Sequence, residues 1–179
     1  MPEIEIRPVI VDDIPKMIAL DHDYVSDHVW QMDINQDEND IRVNFRQIQL
    51  PRSIRVEYPR SPYDLLSEWQ NRSALLVGVL RGEVISYISL VLGLAPLTTW
   101  VTDLVVMRRY RRQGVASALL LSAQQWAKQK GSLRIIMEMQ PKNYPAICLA
   151  QKLGYDLCGY NDRFYKNLDI ALFFAKAVR

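Results

Sequence analysis

The chain reads as a single α+β domain, on three observations. Its 179 residues suit one domain, and a chain of this length buries roughly 70% of its unfolded surface without disulfides. Apolar stretches with strand periodicity alternate with amphipathic helical stretches in the order β-α-(insert)-β-β-β-α-β-α-β. No internal repeat, low-complexity tract or linker interrupts the series over 1–179, so one layered core is expected.

Residues 4–7 alternate as a first strand. Asp12 or Asp13 then caps a helix through Lys16, Met17 and Leu20, with Pro15 tolerated in its first turn. The segment 21–71 is an unassigned insert. Its first part, 22–40, is polar and acidic around Trp30 and Met32 and reads as loop. Residues 41–46 and 54–58 alternate on either side of Pro51-Arg52, which suggests a β-hairpin between them. Pro59 and Pro62 break the chain before a short helix over 63–69. Residues 74–80 and 83–90 are apolar strands joined by Arg81-Gly82, and 100–107 is a third strand. A helix follows over 114–130, with Val115, Leu119, Ser122 and Trp126 on one stripe and Gly131 closing it. Strand 133–139, helix 145–153 stopped by Gly154, and strand 170–175 complete the order, with 160–165 as a loop.

Composition removes several classes of function. At 49% hydrophobic and 23% charged the chain is ordinary globular protein. No apolar run approaches the ~18 residues of a membrane span, and Met1-Pro2-Glu3-Ile4-Glu5 lacks a signal pattern, so no membrane partner is expected. Cys148 and Cys158 are too few for a disulfide scaffold or a zinc site, which favours a cytoplasmic home. A net charge of +2 argues against nucleic acid held by bulk charge. His22 and His28, among Asp21, Asp23, Asp27 and Asp33, match no metal-ligand spacing and read as a solvated acidic loop, so no metal is expected. Such an acidic lip would attract a cationic amine. Trp30, Trp69 and Trp100 read as core, with cleft lining as the alternative.

One asymmetry stands out: a cluster of Arg108, Arg109, Arg111 and Arg112 between strand and helix. Gly114 permits a tight turn where the helix begins. The first N–H groups of a helix have no internal partners, and the helix dipole adds positive charge there. Such a mouth suits a phosphate or diphosphate, with arginines alongside to pair its oxygens. Neither the Walker nor the dinucleotide glycine pattern is present.

Arg111-x-x-Gly114-x-Ala116, placed after a strand and opening an amphipathic helix, resembles the Arg/Gln-x-x-Gly-x-Gly/Ala signature of the GNAT superfamily of acetyl-CoA-dependent N-acetyltransferases. Asn143-Tyr144-Pro145-Ala146, followed by Lys152-Leu153-Gly154-Tyr155, is similar to that family's Asn-x-x-Ala…Lys-x-Gly-Phe segment. The specific match covers 99–155. The resemblance implies a mixed, mostly antiparallel central sheet flanked by helices, the acyl-CoA N-acyltransferase fold, with acetyl-CoA as donor. It implies that main-chain N–H groups of Arg112, Gln113, Gly114, Val115, Ala116 and Ser117, with Arg111 alongside, hold the CoA diphosphate. It also implies that the pantetheine arm pairs like an extra strand with Leu104, Val105 and Val106, and that Asn143 contacts the cofactor. For Asn143, turn chemistry before Pro145 is the alternative.

Amine acetylation needs a base for the ammonium and a proton for the leaving thiolate. Glu138 is the first candidate base, because a carboxylate in an otherwise apolar strand must face a cleft or be paired. It lies five residues before Asn143, the spacing of the base in the ribosomal-protein alanine N-acetyltransferase branch. A salt bridge to Arg134 or a neighbouring strand is the alternative. Asp103, just before the cofactor stretch, is the second candidate, or else a satisfied residue at the start of that stretch. The family's usual tyrosine acid falls at Ala150, so that carry-over fails. Tyr144, Tyr155, Tyr160 or Tyr165 replaces it, or the thiolate leaves unaided or through water, or catalysis has been lost and the chain only binds acyl-CoA. Tyr155, in the motif's Phe position, reads as core, and Cys148 as a buried helix residue rather than a nucleophile. The expected reaction is direct acetyl transfer to a primary amine, with small molecule, peptide and homodimer all left open.

Overall fold

The computed structural model describes residues 3–178; Met1 and Pro2, on which part of the leader expectation rests, and Arg179 lie outside them. The first half comprises β1 (Glu5–Pro8), α1 (Ile14–Ile18), β2 (Tyr24–Asp37), β3 (Asp40–Val56) and α2 (Asp64–Glu68). The second comprises β4 (Ala74–Leu80), β5 (Glu83–Leu92), β6 (Thr98–Val106), α3 (Val115–Gln129), β7 (Arg134–Met139), α4 (Tyr144–Lys152), β8 (Asp156–Asn161) and β9 (Ala171–Ala177). Among the described residues the main sheet has seven strands in the order β1-β4-β5-β6-β7-β9-β8, and β2-β3 form a separate ribbon. All neighbours in the main sheet are antiparallel except β6 and β7.

Both faces of the sheet are covered, which is why β4 and β5 read as nearly continuous apolar runs. On one face α3 and α4 bury Leu119, Leu120, Ala123, Ile147 and Ala150 against Ile88, Val101, Ile135, Met137 and Phe174. On the other, α1 and α2 bury Ile14, Met17 and Leu65 against Val77, Tyr87 and Val105. No helix among the described residues is long and apolar enough to cross a membrane.

Two features of β6 prepare the site. Ser89 pairs with Asp103 and Leu90 with Val101, so Thr102 is an extra residue and the strand bulges there. The parallel pairing of β6 with β7 runs from Thr98↔Arg134 to Val101↔Met137 and stops, although both strands continue. The sheet is therefore split between its two central strands from Thr102 onward.

The insert departs from the sequence expectation. The alternating stretches 41–46 and 54–58 are not partners: the first lies wholly within β3, which also runs through 54–56, and the partner is β2, the stretch expected to be acidic loop. The turn falls between Asp37 and Asp40 rather than at Pro51-Arg52. Pro51 is accommodated because pairing jumps from His28↔Gln49 to Ser26↔Ile54, leaving 50–53 opposite Asp27 alone, where no ladder N–H is required. Asp33 is tolerated in β2 because Arg46 of β3 pairs with it, and Arg55 reaches Asp21 and Asp23 just ahead of the strand. The ribbon is anchored by Trp30, whose backbone N–H donates to Pro141 O (3.0 Å), and by Phe45 edge-on to Tyr160 (5.5 Å between centroids). The strand β8 was absent from the expected order, and the first two residues of the 160–165 loop belong to it. It is a short, largely exposed edge strand broken by a bulge between Leu157 and Gly159, so it carries no clear alternation. The first helix ends at Ile18, short of Leu20.

Candidate acetyl-transfer site

At the mouth of α3 the backbone takes a left-handed conformation twice, at Arg112 (φ 60°) and at Gly114 (φ 87°), the residue preceding the helix. Glycine adopts this at little cost. No side chain caps the helix, and the first bond into its start is Ala118 N–H to Gly114 O (3.0 Å). The N–H groups of Val115, Ala116 and Ser117 are therefore free of intrahelical partners at a positive dipole end.

The arginine cluster divides its labour. Arg111 is half-buried: Nε donates to Val106 O and Nη1 to Asp23 O (both 2.8 Å), and Nη2 donates to Asp21 O. Burial pushes its pKa down, with Asp21 and Asp23 opposing that. It ties the end of β6 to the insert, so its guanidinium is committed to main chain. Arg109 pairs with Glu83 (2.5 Å) and lies over the Tyr110 ring. Arg108 and Arg112 are exposed, as is Gln113.

Leu104, Val105 and Val106 sit on the split part of β6, bonded to β5 on one side and unpaired with β7 on the other. An extended chain can add to such an edge through main-chain groups. Asn143 precedes α4, where its Oδ1 accepts from Ala146 N–H (3.2 Å), so turn chemistry is satisfied there while the residue also lines the cleft below the split.

That cleft holds both candidate carboxylates. Glu138 lies between Met137 and Met139, which enter the core, so strand alternation turns it to the opposite face. Its ion-pair partner is not Arg134, which is exposed, but Arg60 from the irregular stretch after β3: Nη2 donates to Glu138 Oε1. The same guanidinium donates to Thr102 O (2.8 Å), stands 3.7 Å from Asp103 Oδ1, and lies over the Tyr165 ring (5.2 Å). Asp103 also accepts from Tyr58 Oη (2.8 Å) and Thr102 Oγ1 (3.0 Å). Side-chain exposure is 2% for Glu138, 7% for Asp103 and 25% for Arg60, so the cation is the most exposed member of the cluster. Burial raises the Glu138 pKa above the ordinary carboxylate value, with Arg60 working against it. Burial works to lower the Arg60 pKa, but Asp103 and Glu138 outweigh it and hold the group above its usual range.

Of the four tyrosines considered, only Tyr165 lines this cleft. Burial raises its pKa above the tyrosine range. Tyr155 is core, accepting from Gln124 Nε2 (3.0 Å), its pKa pushed up to about 12 by burial. Tyr144 packs against the His28 ring, and Tyr160 meets Phe45 edge-on. Cys148 is exposed rather than buried, because α4 turns the adjacent Ile147 and Ala150 inward. The solvated-loop expectation holds for neither histidine: His28 is partly covered and bonded to Asp27, and His22 is buried, with Nδ1 on Leu20 O (2.7 Å) and Nε2 on Tyr87 Oη (3.0 Å). Trp30 is part-buried against the core Phe174, Trp100 is part-buried edge-on to Phe173, and Trp69 packs on the α1-α2 side; none lines the cleft. Sequence reading missed Arg60, Tyr58 and Thr102. Arg60 carried only the signal of a lone arginine between Pro59 and Pro62.

The Acetyltransferase (GNAT) family model matches residues 42–155. No curated protein matches the chain. Among solved structures, nourseothricin acetyltransferase superposes with a TM-score of 0.82 at 19% identity, covering 98% of this chain and 99% of that one. A putative streptothricin acetyltransferase from Bacillus anthracis str. Ames, solved with acetyl coenzyme A, gives 0.76 at 20% identity over 99% and 98%. The ribosomal-protein-S18-alanine N-acetyltransferase from Escherichia coli gives 0.69 at 16% over 98% and 94%. These likenesses carry the fold, and the family match over most of the chain carries the membership: this protein belongs to the acetyltransferase (GNAT) family, whose acyl donor is acetyl-CoA.

Proposed function

We propose that the protein transfers the acetyl group of acetyl-CoA to a primary amine by direct attack, with Glu138 as the base. The observation that carries this is the split between β6 and β7, which opens beside an uncapped helix start and ends on a buried carboxylate. In this reading the N–H groups of Arg112, Gln113, Gly114, Val115, Ala116 and Ser117 bind the diphosphate, and Arg111 holds their loop in place. The open edge at Leu104, Val105 and Val106 takes the pantetheine arm, and Asn143 closes the far side. The donor supplies an activated thioester. Glu138 takes the amine's proton, directly or through water, and its raised pKa favours that role. Asp103 is the second carboxylate of the site, and Tyr165, which lines the cleft, is the tyrosine assigned in this reading to protonate the leaving sulfur.

The acceptor reading is a cationic amine. Two carboxylates and one guanidinium leave the cleft a net negative charge, and the full-length neighbours superposing at 0.82 and 0.76 are named for nourseothricin and streptothricin. The rival reading is a silent acyl-CoA sensor, favoured by the fully buried Ala150 at the usual acid position.

Calorimetry with acetyl-CoA and a thiol-release assay with nourseothricin and a panel of amines separate the two. Binding is expected to be abolished by Gly114→Glu, and Glu138→Gln should cut turnover about 100-fold or more while leaving donor affinity intact. Binding without turnover on any amine supports the sensor. Unchanged turnover in Glu138→Gln moves the base to Asp103, to be tested as Asp103→Asn.

A further inference from the structure

Glu138 and Asp103 are almost fully covered, and the cation paired with the first and 3.7 Å from the second is Arg60, whose side chain is 25% exposed. An amine approaching Glu138 meets this cation first. We propose that Arg60 occupies the seat of the acceptor's ammonium and must swing out before an acceptor can engage the base, which rests on the reading of Glu138 as that base. Three features support exchange over a permanent strut. The Arg60 side chain is already partly exposed, unlike the two carboxylates beside it. It hangs from an irregular stretch between Pro59 and Pro62 rather than from a strand or helix. And the exchange conserves charge: a cation leaves the two carboxylates as another arrives, so neither is left buried and unpaired, the costly state.

The seat also defines the acceptor's chemistry. Besides the carboxylates it offers the Thr102 carbonyl as acceptor and the Tyr165 ring as a face for a cation. The ligand it fits is therefore a protonated amine or guanidinium on an extended, slender chain, able to reach past the mouth as Arg60 does. A neutral aromatic amine has no equivalent of these contacts.

Removing the internal competitor separates this from a positioning role. Where the seat is filled nine times in ten, apparent acceptor affinity is reduced about tenfold. Arg60→Ala is thus expected to lower the KM for nourseothricin about tenfold, with kcat held within about threefold. Methylguanidine should bind this variant, in the presence of coenzyme A, and inhibit it competitively with the amine, while inhibiting the wild type about tenfold more weakly. If Arg60 instead positions Glu138, Arg60→Ala loses kcat and methylguanidine restores it, which overturns the proposal. Failure of an amine to displace bound methylguanidine overturns it as well. Displacement is read by calorimetry without turnover, so it survives a failure of Glu138 as base, which Glu138→Gln reports separately. Should Arg60→Ala not fold, Arg60→Lys keeps the charge on a head that cannot span all three oxygen partners. Its KM should fall by about threefold, and an unchanged or raised KM counts against the seat.

Discussion

Burial moves Glu138 and His22 in opposite directions, because in each it disfavours the charged form. For Glu138 the shift is chemically useful, since a carboxyl with a raised pKa is a better proton acceptor. For His22 the consequence is stability. Its Nδ1 is bonded to the Leu20 carbonyl and so carries the hydrogen, leaving Nε2 to accept from Tyr87. Protonation would put a second hydrogen against the Tyr87 hydroxyl in a buried site. The folded-state pKa lies below the unfolded value of 6.5, so between the two the unfolded chain binds the extra proton and stability falls as pH drops. Thermal unfolding followed from pH 7 to 5 should show a declining Tm in the wild type and a flatter profile in His22→Gln. Identical slopes would mean that some other group carries the acid sensitivity.

The two ends of α3 allow a controlled comparison at the level of one element. Gly114 (φ 87°) opens the helix and Gly131 (φ 76°) follows it, both left-handed. An alanine at either site meets roughly 1–2 kcal/mol of backbone strain, and at Gly131 the added carbon has no neighbour within 4 Å. Both Gly114→Ala and Gly131→Ala should therefore lower Tm by similar amounts. Only Gly114→Ala should also weaken acetyl-CoA binding, measured by calorimetry, since only there does the strained turn aim the N–H groups of the candidate diphosphate site. Equal affinity in the two variants would remove the helix mouth from the site. This element was legible in the sequence because everything that defines it is local: glycine at a turn, apolar spacing along a helix, a strand leading in. The ribbon β2-β3 was not, because its partners are chosen by a register that skips four residues of β3 opposite Asp27, and its Asp33 is balanced by Arg46 of the other strand. Arg60 was illegible for a related reason. Its contact with Glu138 spans 78 residues of sequence, and nothing near either residue announces it.

At the scale of the whole molecule, the cleft exists only because three remote segments meet over the split sheet. The floor comes from β6 and β7, one wall from Tyr58 and Arg60 after the ribbon, and another from Tyr165 in the β8-β9 connection. One buried side chain joins these parts. Gln140, directly after β7, accepts from Tyr24 Oη at the base of the ribbon (2.7 Å) and donates to Asp169 in the β8-β9 connection (2.7 Å). Asp169 in turn receives Lys142 Nζ (3.0 Å) and, through its backbone carbonyl, the N–H of Phe164 (3.0 Å). Gln140→Leu keeps the bulk and removes both bonds, leaving the buried Tyr24 hydroxyl without its acceptor, at a cost of about 1–3 kcal/mol. The α3 mouth and the open edge of β6 lie outside this network. Acetyl-CoA affinity should therefore be retained, while the KM for the amine rises and the 162–170 connection becomes more sensitive to limited proteolysis. A variant in which donor and acceptor constants shift together would show that the two binding regions are one mechanical unit rather than separately supported walls.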